Sequence, residues 1–131
     1  MNNMNETNFE YIYSLVPEIV DRNIGKDGLQ AVVFGGSYAE HNWDPSGDID
    51  MDLIFDAPLN VNHALTVLAD IRQQFANNKL SLDVRLCADT DGNAIFIHNE
   101  NKRLRYPEVG KVNLKNLYDH TNVIYPKGFA L

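Results

Sequence analysis

The chain has little cysteine, little positive charge and no long apolar run, and each shortage excludes something. One cysteine in 131 residues, Cys87, cannot form an internal disulfide. No stretch of ~20 apolar residues is present, and no basic, apolar, small-residue leader precedes the first periodic segment. The expectation is therefore a cytoplasmic protein without a membrane partner. Lys and Arg number 11 against 18 Asp and Glu, a net charge of −7. Long nucleic acids are held largely by neutralising their phosphates, so this balance argues against DNA or RNA as the main ligand. His41, His63, His98 and His120 show no ligand spacing with Cys87, and no zinc centre is expected.

What the chain does have is concentrated between Val32 and Phe55. Two runs rich in β-branched and aromatic residues, Val32-Val-Phe-Gly-Gly-Ser37 and Gly47-Asp-Ile-Asp-Met-Asp-Leu-Ile-Phe55, flank a nine-residue polar excursion. They read as two strands joined by a connection that starts with a tight turn. Alternation along the second run puts Asp48, Asp50 and Asp52 on one face and Ile49, Met51, Leu53 and Phe55 on the other. Carboxylates that close raise each other's pKa unless a cation sits between them. The oxygen-preferring choice is Mg²⁺, which takes one or two protein carboxylates and completes its shell with water and phosphate. At the end of the first run, Gly35 and Gly36 allow backbone N–H groups to approach a phosphate, and Ser37 adds a hydroxyl donor.

At 131 residues the chain is expected to form one domain, 1–131. Met1 to Glu6 is polar and expected to fray. Thr7-x-x-Glu10 reads as a capping box before a helical stripe of Phe9, Ile12, Tyr13, Val16, Ile19 and Val20, with Pro17 expected to kink or split the helix and Gly25 to end it. Val61, Ala64, Leu65, Leu68, Ile71 and Phe75 predict a second helix up to Asn77-Asn78, and the strand–helix–strand order suits a crossover. In Leu80–Leu86 the leucines and Val84 share one face, leaving Ser81, Asp83 and Arg85 on the other. Ala94–Ile97 reads as a strand by composition. The last 25 residues form a short helix or lie extended against the body. Trp43 is read as closing over a sheet end, Cys87 as buried, and Lys102-Arg103-x-Arg105 as a solvated basic patch.

Gly36-Ser37, ten residues, then Asp48-x-Asp50 resembles the signature of the nucleotidyltransferase superfamily related to DNA polymerase beta, in particular its minimal members. Ser37-Tyr38-Ala39 and Pro45 add to the likeness, which covers roughly Ala31 to Tyr106; 107–131 is a C-terminal tail beyond it. The resemblance implies an α/β (α+β) nucleotidyltransferase fold, a small mixed sheet flanked by helices, and a third acid on a later strand, for which Asp83 is the match. It would allow a short helix near Ala94. Asp48, Asp50 and Asp83 would be the catalytic and Mg²⁺-binding residues, and Gly36 and Ser37 the nucleotide-binding ones.

The implied activity is transfer of a nucleoside monophosphate, AMP from ATP by family expectation, to a hydroxyl. Too little chain remains for an acceptor-binding domain, so the acceptor would come from a protein partner or a second copy. The minimal relatives include antitoxins paired with HEPN-domain toxins, able to transfer AMP to a toxin tyrosine. Two rivals are a transferase for a small-molecule hydroxyl such as an antibiotic, and a catalytically inactive module that neutralises a partner by contact. The chain departs from the pattern twice: Glu40-His41 stands where Arg-Gly is common, and Asp52 where the family continues with apolar residues. Asp52 is placed to support a metal at one remove or to face water. Arg85 is placed to pair with Asp83 or to reach a triphosphate oxygen.

Overall fold

The computed structural model describes residues 4–44, 47–97, 99–100, 103–104, 108–117 and 122–130. Pro45, His98, Lys102, Arg105, Tyr106, Tyr118 and His120 lie outside the described residues. In chain order the elements are α1 (Met4–Asn23), a 3₁₀ turn (Lys26–Gly28), β1 (Leu29–Gly35), α2 (Gly36–Ala39), β2 (Ile49–Phe55) and α3 (Val61–Asn77). There follow β3 (Leu82–Asp83), β4 (Leu86–Asp89), β5 (Asn93–Phe96), β6 (Asn99–Glu100), β7 (Arg103–Leu104), β8 (Glu108–Lys111), α4 (Leu114–Leu117) and β9 (Val123–Tyr125).

The molecule is an α+β fold on one mixed sheet of order β8-β5-β4-β2-β1-β9, with β3 also paired to β2; β6 and β7 pair separately. β1 and β2 are antiparallel, whereas β3 and β4 both run parallel to β2. Parallel neighbours need a crossover, and α3 supplies it. The tail is not an appendage, because β8 and β9 form the two outer strands of the sheet.

Both long helices pack on one sheet face. Val16, Ile19 and Val20 of α1 and Ala64, Val67, Leu68, Ile71 and Phe75 of α3 are buried there against Val32, Phe34, Ile49, Met51, Leu53 and Phe55. The helix spacings in the sequence anticipate this stripe apart from Val67. α1 begins at Met4, so Thr7 lies inside it and is not its cap, and the helix runs through Pro17 without dividing. α3 starts where Asn60 Oδ1 accepts the His63 N–H at 3.0 Å. It ends with Lys79 at φ 59°, and the Leu80 N–H returns to the Phe75 carbonyl, a closure of the Schellman type.

One expected alternation breaks. Asp50 pairs with Asp83 but Leu53 pairs with Cys87. Three steps on β2 are thus matched by four on its neighbour, which is a bulge centred on Val84 and Arg85. Past it the faces exchange: Cys87 packs with the helix-side core, while Leu86 joins Ala31, Val33, Ile54, Ala88 and Ala94 on the opposite face. Leu114, Leu117, Ile124 and Phe129 cover one end of that second face. Its other end carries the acids.

Candidate active site

The site is built on the strand ends beside α2. β1 ends at Gly35, which pairs across the ladder with Asp50. Gly36 then takes φ 59°, and a Cβ there would run into the Asp50 carboxylate. Glycine is required twice over, by the left-handed backbone and by the close approach. On the other side of β2, Asp83 stands opposite Asp50. Strand pairing therefore brings together two acids 33 positions apart with the backbone of Gly36.

These groups line an open cavity of about 310 Å³, shared with Val33, Gly35, Met51, Asp52, Arg85 and Asn122. Burial raises the Asp50 pKa above the usual carboxylate value, and the charges of Asp83 and Asp48 and a hydrogen bond with Asp83 push it the same way, while Arg85 pulls it down. Carboxylates crowded in this way are what a cation would relieve, so the donor set fits a hard divalent ion. Among the described residues no three His, Cys, Asp or Glu side chains are gathered into a ready-made metal cage.

The other expected site residues sit further out. Asp48 is exposed at the rim, where its Oδ1 accepts a hydrogen bond from Ser81 Oγ. Ser37 is half-buried in the first turn of α2 and is not part of the cavity lining.

Asp52 does not face water. Its side chain is 3% exposed, and its Oδ2 accepts from Arg85 Nη2 at 2.9 Å. Its Oδ1 is buried and has no hydrogen-bond partner among the described residues. Arg85 thus pairs with Asp52, where alternation alone suggested Asp83. Asn122 enters the cavity from the segment before β9, and its Nδ2 donates to the Leu117 carbonyl. Nothing local in the sequence marks it, because only the pairing of β9 with β1 carries it there.

The connection between β1 and β2 is held by aromatic contacts. Tyr13 of α1 is sandwiched between Tyr38 (centroids 4.8 Å apart) and His41 (4.6 Å). Trp43 is buried, with its Nε1 donating to the Gly47 carbonyl at 3.1 Å. It closes the loop over the sheet end, as expected. His41 takes φ 60° in the same arrangement, so the residue that departs from the resembled pattern fastens the connection to α1.

No family model, curated protein or solved structure matches this chain. Among the described residues no helix is long and apolar enough to cross a membrane.

Proposed function

We propose that the chain is a Mg²⁺-dependent nucleotidyltransferase that moves a nucleoside monophosphate, AMP from ATP, onto a hydroxyl acceptor. The observation that carries this reading is the pairing of Asp50 with Asp83 at one cavity, against the glycine backbone at Gly36. Asp48, Asp50 and Asp83 are the residues that would hold Mg²⁺, which supplies charge neutralisation and Lewis acidity at the α-phosphate. Asp83 accepts the proton of the acceptor hydroxyl as its oxygen attacks the α-phosphorus and pyrophosphate leaves. Gly36 offers an open backbone to the departing phosphates, with Ser37 just beyond it.

The acceptor we favour is a protein hydroxyl in a toxin–antitoxin pair, by analogy with the minimal members of the resembled superfamily. Fold analogy does not establish a substrate, so the test is chemical. Incubation with α-labelled ATP, Mg²⁺ and the product of a neighbouring gene should label that protein, and Asp50→Asn should abolish the label. Labelling of a small hydroxylated molecule in place of the protein would move the assignment to the antibiotic-type rival.

A second reading, a contact-only antitoxin, is favoured by one observation. From Asp27 to Ile71 the chain contains no Lys or Arg, so the connection brings no cation to a triphosphate. Asp48→Ala with Asp50→Ala separates the two: an inactive binder still protects cells, whereas an enzyme does not.

A further inference from the structure

The cavity contains a cation that the connection does not supply, and its mounting is unusual. Arg85 lies at the bulge between β3 and β4, a feature that re-aims side chains at strand ends. Its Nη2 is tied to Asp52, which is almost wholly buried, while Arg85 itself is 64% exposed on the cavity wall.

A pair this one-sided is a poor device for stability. Desolvating the carboxylate is costly, an exposed guanidinium returns little of that cost, and Asp52 Oδ1 has no partner among the described residues. The position faces Val33 across the ladder, and an apolar residue would suit it as well. What the arrangement does achieve is to hold a guanidinium at a fixed place beside Gly36, Asp50 and Asp83. A guanidinium has five N–H donors in a planar fork, and Asp52 engages Nη2, leaving a donor surface toward the cavity.

We infer that Arg85 is the phosphate-binding cation of this cavity and that Asp52 is the positioning residue that aims it. The ligand class is a polyphosphate carried in with a divalent cation, since Asp50 and Asp83 would repel a bare anion. This links the two departures from the resembled signature: the positive charge absent at Glu40-His41 enters from the neighbouring strand, and the acid at Asp52 is its mount. The choice of polyphosphate rests on the proposed nucleotidyl transfer; the anion site itself does not require turnover.

Calorimetric titration of the full chain with magnesium tripolyphosphate, and separately with Mn²⁺ alone, tests the inference. Asp52→Asn should weaken tripolyphosphate binding about 5-fold, and the double variant Asp52→Asn, Arg85→Gln, which leaves no buried charge unpaired, about 30-fold. Arg85→Gln alone should bind as weakly as the double variant, because Asp52 acts only through Arg85. Mn²⁺ affinity should stay within about twofold throughout. The inference is overturned if the double variant binds tripolyphosphate like the wild type, if Mn²⁺ affinity falls in parallel, or if the wild type does not bind tripolyphosphate. Tripolyphosphate binding that follows this pattern in a protein that never transfers AMP would uphold the anion site and remove the transferase reading.

Discussion

Asp89 and Asp52 are both buried carboxylates of the same sheet, and they are treated in opposite ways. Asp89 is fully buried, yet its oxygens accept from the backbone N–H groups of Leu59, Asp91 and Asn93 and from Asn93 Nδ2. Burial would raise its pKa, but these hydrogen bonds prevail and hold it below the usual value. Among the described residues Asp52 has one guanidinium N–H on one oxygen and nothing on the other. A saturated carboxylate knots the β4–β5 turn to the loop before α3. A half-satisfied one costs stability and is worth keeping only for what it positions.

The sharpest way to break this comparison is to remove Asp89. Asp89→Ala orphans three backbone donors and should cost about 3 kcal/mol in urea denaturation. The wild-type advantage should be complete above the ordinary carboxylate value of 3.8 and disappear as pH falls through the depressed folded-state pKa. Next comes an asymmetry within the Asp52–Arg85 pair. Arg85→Gln strands a buried charge and should cost about 2 kcal/mol, whereas Asp52→Asn leaves an exposed guanidinium to water and should cost less than about 0.5 kcal/mol. Equal losses in the same denaturation series would mean that the pair is a structural bridge. Gly36→Ala follows at about 1.5 kcal/mol, from the positive φ and the displaced Asp50 carboxylate. It should weaken Mn²⁺ binding as well, a loss that a backbone effect confined to the turn would not produce.

The helix-packed face was legible because both of its signals are periodic. The alternation in β2 places its buried residues where the structure does, and the α3 stripe does so for Ala64, Leu68, Ile71 and Phe75, while Val67 is buried outside it and Val61 and Leu65 are only partly covered. The other face was legible only as far as local alternation holds. In Leu80–Leu86 the apolar residues continue at every second position, so nothing marks the residue at which the ladder slips. Small apolar residues on both faces beyond it, Cys87 and Ala88, fit either register. That slip decides that Leu86 changes face, and a charge pair across strands, not alternation within one, sends Arg85 to Asp52. Asp50 and Asp83 were accessible from strand patterning plus a resemblance, since strand-end acids meet if the strands pair in parallel. Asn122 was not, because a three-residue edge strand has too short a pattern to announce its partner.

The smallest expected effect concerns Asp50, and it runs in the favourable direction. Its pKa is raised chiefly by burial and then by Asp83. A carboxyl whose folded-state pKa exceeds its unfolded value supports folding while protonated and opposes it once ionised. The penalty is therefore absent below the ordinary value of 3.8 and fully present above the raised folded-state pKa. Asp50→Asn, which cannot ionise, should raise the melting temperature at neutral pH, and the difference should close as the solution is acidified. Mg²⁺ relieves the same repulsion by binding the native state, so it should raise the wild-type melting temperature more than that of the variant. A variant that is no more stable at neutral pH would place Asp50 among the satisfied carboxylates with Asp89 and take away the electrostatic reason for a cation at this cavity.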